Sequence, residues 1–424
     1  MINKTLNNIF KGDKVIWMVF FFLCIISIIE VYSASSQLTY KDGSFIAPVL
    51  KHIGILLMGI FCMVVTLNIK CKYFKIVTPF LLIISVLMLI WVLFAGQSTN
   101  GAARWVGILG MKFQPSEIAK GALVLATAQI LSAMQTEKGA DKHAFKYILV
   151  VCAFIIPLIL VENFSTAFLL CVVIFLMMVL GRVPMKQLGQ LLGVVVILGV
   201  LFFAMIMLMG KVQKPVSADQ SLSEQTTEIV QEKENVVEKV FHRFGTWKAR
   251  IMKFSDRNYI APADVDLDKD AQTAHANIAI ASSNVVGKGP GNSVERDFLS
   301  QAFSDFIYAI IIEEMGIVGA VAVAFLYIVL LIRTGRIVNR CENNFPAFLA
   351  MGLALLLVIQ AIFNMCVAVG LAPVTGQPLP LISKGGTSTM INCIYVGVIL
   401  SISRSAKKKP MPTESASMGA VALA

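Results

Sequence analysis

Asp305 is followed eight and nine residues later by Glu313 and Glu314, at the start of a long apolar run. An aspartate at the mouth of a closed cavity can act as a general base, its basicity set by burial and neighbouring charge. The same carboxylate can instead sit in the favourable field of a helix N-terminus. Were the helix continuous from Asp305, eight residues would descend about 12 Å, with Glu313 within about 80° of the Asp305 direction and Glu314 on the other side. A second group is Asn100-Gly-Ala-Ala-Arg104-Trp105, leading into Gln114-Pro-Ser-Glu117 and Lys120. Proline after Gln114 starts a helix, and Glu117 and Lys120, three apart, share its face. Such a pair either offers charge to a substrate or lets a helix end near water. A third, Gly287-Lys-Gly-Pro-Gly-Asn292-Ser293, permits tight backbone paths and close approach of a ligand. It lacks the Gly-Lys-Ser/Thr ending of a Walker loop.

The fourth group is Pro373-Val-Thr375-Gly376-Gln-Pro378-Leu-Pro380-Leu-Ile-Ser383-Lys384-Gly385-Gly386-Thr-Ser388. It sets prolines, glycines and hydroxyls between two apolar runs. Irregular backbone at membrane depth is tolerated only when buried in protein or lining an aqueous cavity, so a re-entrant loop around a polar ligand is expected.

Membrane spans must position these groups. Of 424 residues, 57% are hydrophobic and 14% charged, and the mean hydropathy is +0.78. Soluble domains carry about 25% charged residues. The composition excludes a water-soluble enzyme, a disordered regulator and a nucleic-acid-binding domain. A span needs about 20 apolar residues. Ten runs qualify: Val15–Ala34, Pro48–Leu67, Ile76–Ala95, Ile118–Met134, Tyr147–Val161, Thr166–Gly181, Leu188–Met209, Phe306–Ile332, Phe345–Gly370 and Thr387–Ser403. The first has no convincing cleavage site after it and reads as an uncleaved span. The expected fold is therefore an all-α polytopic membrane protein of about ten helices, one domain over residues 1–424.

The net charge of +11 is distributed as membrane orientation requires. Lys4, Lys11, Lys14, Lys70, Lys72, Lys75, Lys138, Lys142, Lys146, Arg182 and Lys186 fall on one side, with Arg333, Arg336, Arg340, Arg404 and Lys407 to Lys409. The short segments opposite hold only Lys41, Lys51, Arg104, Lys112, Lys120 and Lys384. The richer side reads as cytoplasmic, with both termini inside and residues 405–424 a basic, polar cytoplasmic tail. A long loop, residues 211–304, then faces outward between the seventh and eighth spans. Its Ser217–Lys239 part reads as solvated. Phe241, Phe244, Trp247, Ile251 and Phe254 recur at helical spacing, which reads either as an interfacial amphipathic helix or as a helix packed on the protein. The eight cysteines lack a Cys-x-x-Cys pair and the four histidines (His52, His143, His242, His275) are scattered, so neither a disulfide framework nor a protein-built metal cage is expected.

Taken in order, the motifs resemble the SEDS family (shape, elongation, division and sporulation), which includes FtsW and RodA. The resemblance rests on Asn100-Gly-Ala-Ala-Arg104-Trp105, Gln114-Pro-Ser-Glu117-x-x-Lys120 and Gly287-x-Gly-x-Gly-Asn-Ser293. It continues through Asp305-Phe-x-x-Ala-x-x-x-Glu313-Glu314-x-Gly316 and the Pro373–Ser388 stretch, and Tyr32-Ser33-Ala34-Ser35 also fits. Gly291-Asn292-Ser293-Val294 is more similar to the division-type FtsW than to the elongation-type RodA. The chain departs from the pattern in places. Glu162-Asn163-Phe164-Ser165-Thr166 replaces Pro-Asp-x-Gly-Thr, Lys384 replaces tyrosine, and Ile312 replaces glycine. Ser300, Gln301 and Phe303 replace Pro, Glu and His.

The resemblance implies a peptidoglycan glycosyltransferase that joins lipid II on the outer face of the inner membrane, at the division septum. Asp305 would take the proton from the attacking GlcNAc 4-hydroxyl as it attacks MurNAc C1 of an undecaprenyl-diphosphate-linked glycan. Arg104, Glu117, Lys120, Asn292, Ser293, Thr375, Ser383 and Lys384 would bind substrate. Arg104, Lys120 or a divalent cation (Mg or Mn) carried by the substrate would compensate the departing diphosphate. Expected partners are a class B penicillin-binding protein, the cross-linking transpeptidase, and the division machinery. Two other readings stay open: a lipid II flippase, since transporters also carry ionisable groups in their spans, and a non-catalytic scaffold that activates the transpeptidase. A translocation path needs polar groups from face to face. Here they cluster in the outer half, Glu30 excepted.

Overall fold

The computed structural model describes residues 11–34, 47–95, 97–99, 102–108, 111–209, 245, 248, 252, 267–299 and 302–406. The Ser217–Lys239 stretch, the aromatic stripe from Phe241 to Phe254 and the tail beyond Ala406 lie outside these residues. The elements are α1 (Lys14–Ala34), α2 (Ala47–Asn68), α3 (Lys72–Ala95), β1 (Gln97–Thr99), β2 (Ala102–Ile108), β3 (Met111–Phe113) and α4 (Pro115–Ala133). They continue with β4 (Gln135–Thr136), β5 (Gly139–Ala140), α5 (Lys142–Glu162), α6 (Phe164–Leu180), α7 (Met185–Met209), α8 (Leu267–Ala281), α9 (Ile307–Val338), α10 (Asn344–Ala368) and α11 (Thr387–Ser405).

Among the described residues seven helices are long and apolar enough to cross a membrane: α1, α2, α3, α5, α7, α9 and α10. The shorter α6 is also apolar. Helices α4 and α11 occupy the two remaining apolar runs of the sequence and are less apolar for a physical reason. Both are enclosed by protein: α4 packs on α3, α10 and α5, while α11 packs on α2 and α10. Polar side chains such as Glu117, Lys120, Asn392 and Ser401 are buried there against protein partners rather than lipid. Helix α7 is the opposite case. Its apolar side chains, Leu198, Val200 and Leu201 among them, point away from the bundle as hydrocarbon-facing residues do.

Local signals set the ends. The Asp13 carboxylate accepts from the amides of Val15 and Ile16 at 2.9 and 3.3 Å, capping α1, and Arg333 of α9 grips it through Nε and Nη2 at 2.8–2.9 Å. Pro115 opens α4, as the sequence predicts. Asn163 caps α6 by accepting from the Ser165 and Thr166 amides at 3.1 and 3.3 Å.

Two differences from the sequence reading bear on the site. The first is β-structure in an otherwise helical chain. Residues 97–113 form a three-stranded antiparallel sheet, β1-β2-β3, pairing Gln97 with Trp105 and Val106 with Phe113. The Ala102–Trp105 part of the first motif is therefore strand, joining α3 to α4; a short strand is too brief for hydropathy to reveal. The second is the origin of α9. The helix begins at Ile307, with no side-chain cap, and Asp305 lies in the turn before it. The angular relation expected between Asp305 and the two glutamates therefore does not hold.

Candidate functional site

The turn carrying Asp305 is tied to the breaker-rich segment between α10 and α11. The Ser383 hydroxyl donates to the Ser304 carbonyl at 2.7 Å, and the Lys384 amide donates to the Phe303 carbonyl at 2.9 Å. Asn364 of α10 donates to the Asp305 carbonyl at 2.9 Å and to the Gln377 carbonyl at 2.7 Å, so one amide group bridges both segments. The Lys384 ammonium lies 5.2 Å from the centre of the Phe303 ring. Asp305 itself is half-buried, and its Oδ1 accepts from the Ser304 hydroxyl at 3.1 Å. The carboxylate is thus held on a fixed backbone without being sealed away, as a proton acceptor for an incoming hydroxyl must be.

The segment that holds it is irregular and largely buried, as its prolines and glycines predict: Thr375, Gln377, Leu379, Pro380, Leu381, Ile382 and Ser383 are all inside the protein. Side chains from the surrounding helices take up its polar groups. Gln377 donates to the Thr166 hydroxyl at 2.7 Å, and Gln360 donates to the Pro378 carbonyl at 3.0 Å. The Gln360 side-chain oxygen accepts from the Lys120 ammonium at 2.8 Å, and Lys120 pairs with Glu117 at 2.9 Å. Both ionised side chains are 3% exposed or less. Lys120 therefore spends its charge inside the bundle, in a relay Glu117–Lys120–Gln360 that ends on the loop's backbone. The sequence did not single out Gln360, Asn364 or Gln377. For Gln360 and Asn364 the signal that could have found them was an amide side chain within the Phe345–Gly370 apolar run.

Glu313 and Glu314 do separate work. Helix α9 breaks at Gly316, where φ is +67°. The break frees the carbonyls of Glu313 and Glu314, which accept from the amides of Lys288 and Gly289 at 2.9 and 2.8 Å. The two carboxylates then gather the rest of the glycine-rich loop. Glu313 meets the Lys288 ammonium at 2.6 Å, the Ser293 hydroxyl and the Val294 amide at 3.1 Å. Glu314 accepts from the Gly291 and Ser293 amides at 3.0 and 3.3 Å and from the Ser33 hydroxyl. Arg296 closes the cluster on Ser33 and on the Gly291 carbonyl, at 2.9 and 2.6 Å. The loop's shape is thus set by two buried carboxylates on one helix.

Of the other expected substrate contacts, Asn292 is exposed, its amide donating to the Lys288 carbonyl at 3.0 Å, while Ser293 is buried on Glu313. Thr375 is buried, with no hydrogen-bond partner for its hydroxyl. Arg104 lies in β2, and its side chain lies outside the described residues. The structure brings Asp305, Ser383 and Lys384 together directly and joins Glu117 and Lys120 to them through Gln360. Asn292 and Ser293 belong to the Glu313–Glu314 cluster further along α9. Among the described residues no group of three or more His, Cys, Asp and Glu is placed to hold a metal ion.

Comparison with known proteins gives consistent relatives. The model of the cell cycle protein family FTSW_RODA_SPOVE matches residues 13–408. A protein of Geobacter sp. (strain M18) named "Probable peptidoglycan glycosyltransferase FtsW" is 30% identical, over 92% of this chain and 96% of its own length. A protein of the same name from Coxiella burnetii (strain RSA 493 / Nine Mile phase I) is 27% identical over 91% of this chain and 95% of its own. The fold is shared with a chain of a peptidoglycan synthase complex solved for its coordination of polymerization and crosslinking (TM-score 0.66, 20% identity, 94% of this chain and 99% of that one). It is shared too with the rod shape determining protein RodA of Thermus thermophilus (TM-score 0.62, 20% identity, 95% of this chain and 100% of that one).

Proposed function

Because the chain belongs to the FtsW/RodA/SpoVE family of cell cycle proteins, we propose that its half-buried Asp305 is the general base of a membrane-embedded peptidoglycan glycosyltransferase. The substrate in this reading is lipid II. Its GlcNAc 4-hydroxyl attacks C1 of the MurNAc that ends a growing, undecaprenyl-diphosphate-linked glycan. The C1–oxygen bond to the diphosphate breaks, and Asp305 takes the hydroxyl proton. Lys384 and Arg104 compensate charge on the departing diphosphate, and a divalent cation (Mg or Mn) accompanying that diphosphate belongs to the substrate. Of the remaining expected contacts only Asn292 is exposed to a substrate; Ser293, Thr375 and Ser383 are buried and act by shaping the loops around the site. Glu117 and Lys120 contribute through the Gln360 relay, which fixes the loop on which Asp305 depends.

The observation that carries the reading is the pinning of the Asp305 turn by Ser383, Lys384 and Asn364. Preorganised placement of a base is worth more than its mere presence. The same reading places the protein in the plasma membrane at the septum, termini inside, beside a class B penicillin-binding protein and the division machinery.

Purified protein with its transpeptidase partner and lipid II polymerises glycan, and Asp305→Ala lowers the rate by a factor of about 100 or more while the protein stays folded. Polymer at the wild-type rate from the alanine variant sinks the assignment. Lipid II crossing vesicle bilayers without polymer selects a flippase. Asp305→Ala complementing cells depleted of the native protein selects a scaffold.

A further inference from the structure

The segment that pins Asp305 contains a backbone conformation that the chain does not adopt freely. Leu381 has φ +67°, and a branched side chain stays in the left-handed region only where its surroundings hold it there. Two hydroxyls hold the carbonyls of the residues on either side of Leu381. Tyr327 of α9 donates to the Pro380 carbonyl, and Ser27 of α1 donates to the Ile382 carbonyl at 2.7 Å. The second tether has a further support. A serine hydroxyl has one hydrogen, and Ser27 commits it to a carbonyl that can only accept. At its 2.9 Å contact with His52 Nε2, Ser27 must therefore accept, which puts the imidazole proton on Nε2. Ser27 and His52 are both fully buried, and the His52 Nδ1 has no hydrogen-bond partner.

We propose that His52 is a positioning residue for glycan polymerisation, acting through Ser27 on the Ile382 carbonyl and so on Ser383 and Lys384, the residues that hold the Asp305 turn. The proposal rests on the glycosyltransferase reading. The path is short: His52 Nε2–H fixes the Ser27 rotamer, Ser27 fixes the Ile382 carbonyl beside the strained Leu381, and the two residues after Ile382, Ser383 and Lys384, bond to Ser304 and Phe303. Helices α1 and α2, remote in sequence from Asp305, thereby set its geometry.

The test measures kcat and KM for lipid II in four variants, with amide hydrogen exchange over residues 382–384. His52→Leu and Ser27→Ala each lower kcat about tenfold, the effect of losing one buried hydrogen bond from the geometry of a catalytic group, and leave KM unchanged. The double variant is no slower than either single one, because both remove the same tether. His52→Gln, which keeps an N–H near the Nε2 position, retains most of the wild-type rate. Exchange at the Ser383 and Lys384 amides quickens in His52→Leu. Wild-type kcat in His52→Leu, multiplying effects in the double variant, or equal losses for Gln and Leu overturn the proposal. Absence of polymer from the wild-type protein sinks the glycosyltransferase reading instead. The exchange rates then decide the tether alone, and unchanged protection in His52→Leu overturns it.

Discussion

Gly287 and Gly316 lie backbone to backbone: a Cβ on Gly287 would stand 2.4 Å from the Gly316 nitrogen, and one on Gly316 would stand 2.5 Å from the Gly287 nitrogen. Both have positive φ, +81° and +67°. The contact lets the break in α9 hand its freed carbonyls to the glycine-rich loop. Gly316→Ala adds a steric clash to an unfavourable backbone conformation, so it should cost about 2 kcal/mol or more. Gly291 provides the control. It has positive φ but open space around its missing Cβ, so Gly291→Ala should cost clearly less. Thermal melting of the detergent-solubilised variants checks the order.

The Glu117–Lys120 pair is buried within α4, and removing one member strands the other's charge. Lys120→Met should destabilise the protein by about 3–5 kcal/mol, and the double variant Glu117→Gln/Lys120→Met should recover much of that loss. Equal melting temperatures for the single and double variants would refute the coupling.

Asn163 stands where the resembling family carries aspartate, and it still caps α6 through its side-chain oxygen. Asn163→Ala should cost about 1 kcal/mol, while Asn163→Ser, which preserves an acceptor at the cap, should cost much less. Denaturation of both variants under identical detergent conditions gives the comparison.

Asp141 caps α5 at its N-terminus, ahead of the apolar helix. The backbone N–H of His143 and then its ring, both 2.7 Å away, hold the Asp141 carboxyl below its ordinary range. A carboxyl whose folded pKa is depressed contributes stability above its unfolded pKa and loses it as pH falls through the folded value. The contribution should be constant from neutral pH down to the ordinary aspartate range and fade below it. Asp141→Asn keeps an acceptor at the cap but cannot titrate. Melting curves against pH should therefore show a smaller acid-side decline in the variant.

Much of this architecture was legible beforehand. Hydropathy is a local property, so each long apolar run became a helix within a few residues of its expected ends. Pro115 started its helix, and the breakers between Pro373 and Gly386 did make irregular, buried backbone. The ordered motifs pointed to the family that the comparisons show. Less legible were features with no run-length signature. The three strands around Trp105 are too short, and Phe306, the one residue between Asp305 and α9, carries no capping side chain that would mark the boundary.

Sequence alone determined which apolar segments are helical, in what order, and that an aspartate, a glycine-rich loop and a breaker-rich loop lie near their ends; it did not reveal α8 within the long loop. Tertiary structure decided what each polar group bonds to. Glu313 and Glu314, read as companions of Asp305, instead satisfy a loop's amides, Lys120 reaches Gln360 of α10, and a serine and histidine from α1 and α2 support the turn next to Leu381. The physical reason is range. Hydrophobic patterning is written in neighbouring residues, whereas a buried polar group must find its partner wherever packing brings one, often hundreds of residues away.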